Sequence, residues 1–166
     1  MVVKGTGENT VSLIGYAKRA VENSANTYKH VWIVYDTDDF PADRIDAVKT
    51  ICDGLSKNGN CKYHAIWSNQ CIELWYLLHF SYMHSDIHRD EYFPKLSDCL
   101  GFKYVKNNPN MFEILLPYMD NAIRFAKQLD SDNVGKSPSQ SKPGTKVYEL
   151  VETLKPYFIK NNTFDH

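Results

Sequence analysis

Apolar residues recur along the first eighty positions in two patterns, one typical of helices and one typical of buried strands. Helical spacing over residues 11–21 predicts a first helix, capped by Asn9 or Thr10. The uninterrupted apolar and aromatic run at 30–36 then predicts a parallel strand buried on both faces. A second helix is predicted over residues 41–58, because a proline suits its first turn and apolar residues follow at helical spacing.

The pattern of a strand followed by a helix then repeats. Residues 61–67 predict another strand, and Ser68 and Asn69 are predicted to cap a helix over 72–80. The short apolar pair at 2–3 predicts the end of a further strand. Two successive strand-to-helix steps predict an α/β fold with a Rossmann-like parallel sheet flanked by helices.

Beyond residue 82 the strand signals fade and the pattern favours loops and helices. Residues 111–129 are predicted to be helical in part, with a start, end or kink at Pro117. The polar segment 131–144 predicts a mobile loop. Thr145 is then predicted to cap a final helix that ends near Pro156.

Composition narrows the class of protein. A chain of 166 residues with 43% hydrophobic residues suits one domain, with an α/β core at 1–82 and a mostly helical part at 83–166. No apolar run approaches the roughly 20 residues that span a bilayer, and the first residues do not resemble a signal peptide. The cysteines form no C-x-x-C pair, which predicts reduced thiols and favours the cytoplasm: Cys52, Cys61, Cys71 and Cys99. The net charge of −1 argues against a protein that coats nucleic acid by charge alone.

The most informative acidic residues follow the first predicted strand. Ligands bind at the carboxyl edge of an open parallel sheet, and two carboxylates at positions i and i+2 can converge there on one hard cation. Asp36 and Asp38 have this spacing and are the predicted ligands of Mg²⁺ or Mn²⁺. Alternatively, Asp38 and Asp39 only cap the next helix, but this does not explain why Asp36 closes an apolar strand.

Three segments of the chain carry a resemblance to a known family. Residues 31–40, 65–80 and 143–151 are similar to the signature segments of RloB-like proteins. The resemblance implies a Toprim fold, in which an Asp-x-Asp turn holds Mg²⁺, and Asp36 and Asp38 match that turn. It also implies a nuclease or related phosphodiester enzyme of prokaryotic defence against phage or foreign DNA, and it allows for a partner protein from a defence operon.

The chain departs from the family pattern at its beginning. Family members open with a strand that ends in Glu-Gly, and this glutamate completes the Toprim site. Nothing before Val2 supplies it, and Glu8 lies in a Gly-rich polar stretch, so Glu8 is not assigned the role. The departure puts catalysis in doubt more than metal binding.

The predicted helix at 72–80 carries two polar side chains, Glu73 and His79, among apolar residues. Glu73 has two interpretations: it stabilises the first turn of the helix, or it orients a metal-bound water as a catalytic residue. His79 is predicted to be a hydrogen-bonded core residue. His84 and His88 lie in a segment without the pattern of a zinc site, and we expect them to be exposed without a role.

Lysines in the second half of the chain are candidates for phosphate contacts. Most are expected to be ordinary surface residues, with Lys106, Lys142 and Lys146 as the preferred exceptions. They suit nucleic acid or a nucleotide phosphate as the partner.

Two other functions stay open beside the nuclease. One is a regulatory module that binds metal with a nucleotide or nucleic acid without cleavage. The other is a phosphotransferase with Asp36 as the nucleophile, although residues 39–41 lack the small hydroxyl residue usual after such a motif.

Overall fold

The computed structural model describes residues 1–5 and 10–158. The cap expected at Asn9 and the glutamate Glu8 lie outside the described residues. Residues 1–5 are exposed and form no strand, so the strand end expected at 2–3 is wrong.

Helices and two strands follow one another along the described residues. The chain forms α1 (Thr10–Glu22), β1 (His30–Asp36), α2 (Ala42–Asn58), β2 (Lys62–Ser68), α3 (Glu73–Leu77), α4 (Arg89–Leu100), α5 (Met111–Leu115), α6 (Met119–Asp132) and α7 (Val147–Phe158). Two 3₁₀ turns, Leu116–Tyr118 and Pro138–Gln140, precede α6 and α7. The α/β class with a helical carboxyl-terminal part is confirmed.

The two strands run parallel to each other. Their register places His30 opposite Lys62 at one end and Asp36 opposite Ser68 at the other. Because parallel strands point their carboxyl ends to the same edge, the turns that leave β1 and β2 are neighbours. The expected placement of both turns on one edge is confirmed.

The two faces of the sheet are covered unequally. On one face, Ile33 and Tyr35 pack with Trp67 into a cluster that includes buried residues of α1 and α2. On the other face, Ile66 of β2 packs into a cluster with residues of α3, α6 and α7. Val34 of β1 points to this second face and is 46% exposed. The expectation that β1 is buried on both faces is therefore wrong, because the helices of the second face lie over β2.

The turn after β2 differs from the predicted helix cap. The helix α3 begins only at Glu73, and the Ser68 hydroxyl pairs with the Thr145 hydroxyl at 2.8 Å. Gln70 has a positive φ of 56°, which is incompatible with a helix at that position. Ser68 and Asn69 thus belong to a separate turn, and the prediction that they cap the helix is wrong.

Two prolines lie inside helices. The helix α4 was not predicted from the sequence; it contains Pro94 and buries only Tyr92 and Leu96. The helix α7 continues through Pro156 to Phe158, so its predicted end is also wrong. Pro117, in contrast, lies in the turn between α5 and α6, as expected.

The polar segment before α7 is attached to the α/β core. Ser139 donates two hydrogen bonds to the Asp46 carboxylate of α2, from its backbone N–H at 2.9 Å and from its hydroxyl at 2.7 Å. A Cβ at Gly144 would lie 2.7 Å from a backbone oxygen and 2.9 Å from the Trp67 ring, so this close approach requires glycine. The segment is therefore packed and hydrogen-bonded, in contrast to the mobile loop that was expected.

The cysteines are free, as expected, although Cys99 is exposed while Cys52 and Cys71 are buried.

None of the helices within the described residues is long and apolar enough to cross a membrane.

Candidate active site

The turns that follow β1 and β2 are interlocked by hydrogen bonds. Thr37 N donates to Ser68 O at 3.0 Å, which extends the strand pairing by one residue. Asp38 N donates to Gln70 O at 2.9 Å, and Gln70 N donates to the Thr37 hydroxyl at 2.8 Å. Asp38 and Gln70 both have positive φ, a conformation that non-glycine residues adopt rarely and that neighbouring contacts must hold. The Asp-x-Asp turn is therefore fixed by its neighbour.

Asp36 closes β1 in an environment of like charges. Burial is the largest cause that raises the pKa of Asp36 from 3.8 to about 6, followed by the negative charges of Asp38 and Glu73. The charge of Lys106 and a backbone hydrogen bond from Ile72 act in the opposite direction. A cation bound at Asp36 would relieve this repulsion.

Asp38 and Asp39 both form ion pairs with one arginine side chain. The guanidinium of Arg89, at the start of α4, lies 2.8 Å from one oxygen of Asp38 and 2.8 Å from one oxygen of Asp39. The backbone N–H of Arg89 also donates a hydrogen bond to the Gln70 side chain at 2.5 Å. Arg89 was not among the predicted site residues, because a pairing across 51 residues leaves no local pattern in the sequence.

Glu73 is a fully buried carboxyl group beside Asp36. Its Oε1 accepts a hydrogen bond from the Tyr104 hydroxyl at 2.9 Å, and its Oε2 has no partner among the described residues. Glu73 also lines a small cavity of about 60 Å³, together with Tyr104 and Lys106. Burying a carboxyl oxygen without a partner is costly, so a role in the first turn of α3 alone does not explain Glu73.

A larger cavity of about 250 Å³ opens at the same edge of the sheet. It is bordered by the two strand-end turns, the start of α2 and the packed polar segment: Thr37, Asp38, Asp39, Phe40, Ile45, Asn69, Gln70, Pro138, Ser139 and Lys142. Lys142 is exposed, and its side chain has no ion-pair partner among the described residues. The predicted metal ligand Asp38 and the predicted phosphate ligand Lys142 thus border one cavity.

The remaining candidates lie in different environments. Lys146 is engaged in ion pairs with Asp130 at 2.6 Å and with Glu149 at 3.4 Å, unlike Lys142. His79 is fully buried, and its Nδ1 lies 2.9 Å from the Trp75 carbonyl oxygen, which confirms a hydrogen-bonded core residue.

His84 and His88 are exposed, as expected. His84 stacks on Tyr82, and His88 precedes α4, where its Nδ1 accepts a hydrogen bond from Asp90 N at 3.4 Å.

The donor set at the sheet edge fits Mg²⁺. Asp36 and Asp38 offer the oxygen ligands that this ion prefers, and the repulsion acting on Asp36 favours a cation. Over residues 1–5 and 10–158, no three His, Cys, Asp or Glu side chains form a group that could hold a metal. Mg²⁺ commonly binds through one or two carboxylates, with water and substrate phosphates as its other ligands. The two aspartates offer the carboxylates that such a site uses, and one oxygen of Asp38 is already paired with the Arg89 guanidinium.

The raised pKa of Asp36 predicts how stability depends on pH. Between about pH 4 and 6 the folded protein keeps a proton that the unfolded chain has lost, so this group makes stability fall as pH rises through that window. We expect metal-free Asp36→Asn to be more stable than wild type at pH 7.5, by roughly 1–3 kcal/mol, and equally stable near pH 3.5. Urea unfolding at both pH values measures the difference, and a difference that does not change with pH would contradict the assignment.

Comparison with known proteins identifies the family. No curated protein and no solved structure is significantly similar to the chain. The family model of RloB-like proteins matches residues 1–154, which is nearly the whole chain. The chain therefore belongs to the RloB-like family.

Proposed function

We propose that this protein is a Toprim-type enzyme that uses Mg²⁺ or Mn²⁺ to cleave phosphodiester bonds of nucleic acid, as a nuclease of prokaryotic defence in the cytoplasm. One observation carries the proposal. Asp36 and Asp38 lie at the carboxyl edge of the parallel sheet, where Asp38 borders a 250 Å³ cavity that Lys142 also lines. At this edge of the sheet, the carboxylates can bind a metal ion and the lysine can bind a phosphate group. This combination is suited to a reaction at a phosphate ester.

Each residue has a distinct role in this proposal. Asp36 and Asp38 would hold the cation, which, when bound, would polarise a phosphoryl oxygen and lower the pKa of a coordinated water. Lys142, which lines the cavity with Asp38, and Lys106, whose charge acts on Asp36, bind phosphate oxygens of the substrate. Glu73 lines the small cavity and is the carboxyl group that would orient a water beside Asp36.

A second candidate function is a regulatory module that binds metal and a nucleotide or nucleic acid without cleavage, within a defence complex. Two features support it. No group of three potential metal ligands occurs among the described residues, and the Arg89 guanidinium already forms ion pairs with Asp38 and Asp39. Losing one positioned ligand commonly reduces catalysis far more than ground-state binding.

The two candidates are separated by measuring binding and cleavage together. We expect the protein with Mn²⁺ to bind single-stranded DNA or RNA weakly and in a salt-dependent manner, and to cleave it slowly. Asp36→Asn is expected to abolish cleavage while it changes binding less than tenfold, because the carboxylate acts on the reacting state. Filter binding and gel assays of cleavage provide the two readouts.

Asp98→Asn is the matched control, because Asp98 is exposed on α4 and has no ion pair among the described residues. Cleavage that survives Asp36→Asn would contradict the assignment of Asp36 to the site that cleaves. Binding without any cleavage by the wild-type protein would replace it with the regulatory module.

A further inference from the structure

Asn69 is a buried side chain that lacks a hydrogen-bond donor. It lies in the turn after β2, is only 1% exposed, and lines the 250 Å³ cavity. Its Oδ1 has no partner among the described residues. A buried acceptor without a donor costs free energy, and a ligand that presents an N–H or O–H group would remove that cost. Asn69 therefore places a side-chain amide with an unsatisfied oxygen at the cavity wall, and a ligand donor would reach that oxygen once the amide turns toward the cavity.

The other residues of the cavity indicate that a ligand should carry an anionic group and an apolar part. Lys142 is exposed and free of ion pairs within the described residues, so it can bind an anionic group. Phe40, Ile45 and Pro138 form apolar parts of the wall. The carboxylates of Asp38 and Asp39 also border the cavity, and the guanidinium of Arg89, which pairs with both, offsets one of their two negative charges. The Lys142 ammonium offsets the other, so these four side chains carry no net charge and Lys142 is the group that meets an anionic ligand.

The volume restricts the size of the ligand. A cavity of about 250 Å³ corresponds to about eight water molecules at their share of liquid volume. This is room for the ring system of a nucleobase and part of its sugar, with the phosphate at the mouth of the cavity. Inorganic phosphate alone would leave the apolar wall and Asn69 without contacts.

We propose that this cavity binds a single nucleotide unit, with the Asn69 side chain bonded to the base or sugar and Lys142 bonded to the phosphate. The proposal rests on the proposed function for the kind of phosphate ester that occupies the site. It adds a recognition site that reads one nucleotide next to Asp36 and Asp38.

Calorimetric titration with AMP, CMP, GMP and UMP, compared with inorganic phosphate, tests the cavity without any need for cleavage. We expect at least one mononucleotide to bind more tightly than phosphate. Asn69→Ala should weaken that binding about tenfold and leave phosphate binding unchanged, because it removes only the contact with the base or sugar. Lys142→Gln should weaken both, and Lys57→Gln, a change of an exposed lysine at the far end of α2, should weaken neither.

The nucleotide unit could belong to a nucleic-acid strand end or to a free nucleotide, and linear oligonucleotides, circular oligonucleotides and mononucleotides distinguish the two. Binding of linear but not circular single-stranded oligonucleotides would support the proposal with a strand end as the occupant. Binding of mononucleotides alone would support it with a free nucleotide. If Asn69→Ala fails to fold, Lys142→Gln still tests the site, since Lys142 is exposed.

The proposal is overturned if no mononucleotide binds more tightly than phosphate, or if neither Asn69→Ala nor Lys142→Gln weakens binding. Running the same titrations on Asp36→Asn without metal separates the two proposals. Nucleotide binding by Asp36→Asn shows that the cavity does not need the proposed metal ligand. Nucleotide binding by a wild-type protein that cleaves no nucleic acid with Mn²⁺ would leave the cavity assigned and reject only the nuclease.

Discussion

Mn²⁺ is expected to raise the melting temperature of the wild-type protein and to leave the Asp36→Asn/Asp38→Asn protein unchanged. A ligand that binds only the folded state at about 100 times its dissociation constant stabilises that state by about 2.7 kcal/mol. For a chain of this length, such a gain raises the melting temperature by roughly 5–10 °C. The double substitution removes both carboxylate ligands and the repulsion that a cation relieves. Differential scanning fluorimetry at pH 7.5 over a series of Mn²⁺ concentrations measures the effect.

Asp98→Asn serves again as the control and should keep the full increase. The double variant should also be folded without metal, because asparagine retains the size of aspartate. An equal increase in wild type and double variant would place the bound metal elsewhere and remove the site.

The second large effect is expected at the buried carboxyl group of Glu73. Tyr104→Phe removes the hydroxyl that donates to Glu73 Oε1, and Oε2 already lacks a hydrogen-bond partner among the described residues. We expect the free energy of unfolding to fall by about 3 kcal/mol at pH 7, since an uncompensated buried carboxyl group is costly. Urea unfolding measures the change.

Tyr118→Phe is the matched control, because Tyr118 is 44% exposed and its hydroxyl has no hydrogen bond among the described residues. In a Glu73→Leu background, Tyr104→Phe should cost much less than in wild type, as expected for a coupled pair. Equal costs in both backgrounds would show that the hydroxyl stabilises the fold independently of Glu73.

The strands and the edge that carries the aspartates could be predicted from local sequence patterns. The apolar run of β1 and the helical spacing of α2 are strong signals, and two parallel strands must bring their carboxyl ends to one edge. The neighbouring positions of Asp36 and Ser68 follow from that rule.

Contacts between distant segments could not be predicted in this way. Arg89 reaches Asp38 from α4, a helix with few buried apolar residues and an internal proline, which gives a weak periodic signal. The turn at Asn69 depends on the approach of Gly144, more than seventy residues later, whose carbonyl oxygen accepts a hydrogen bond from Asn69 N. The unpartnered Oδ1 of Asn69 and the cavity beside it arise only from that long-range packing.

Anomalous diffraction from a crystal soaked in Mn²⁺ tests the metal site most directly. Data collected at the manganese absorption edge locate the ion without any assumption about its ligands. The proposed site predicts a peak within about 2.0–2.4 Å of oxygens of both Asp36 and Asp38. A strong peak at other residues, with none at these two carboxylates, would contradict the proposed function.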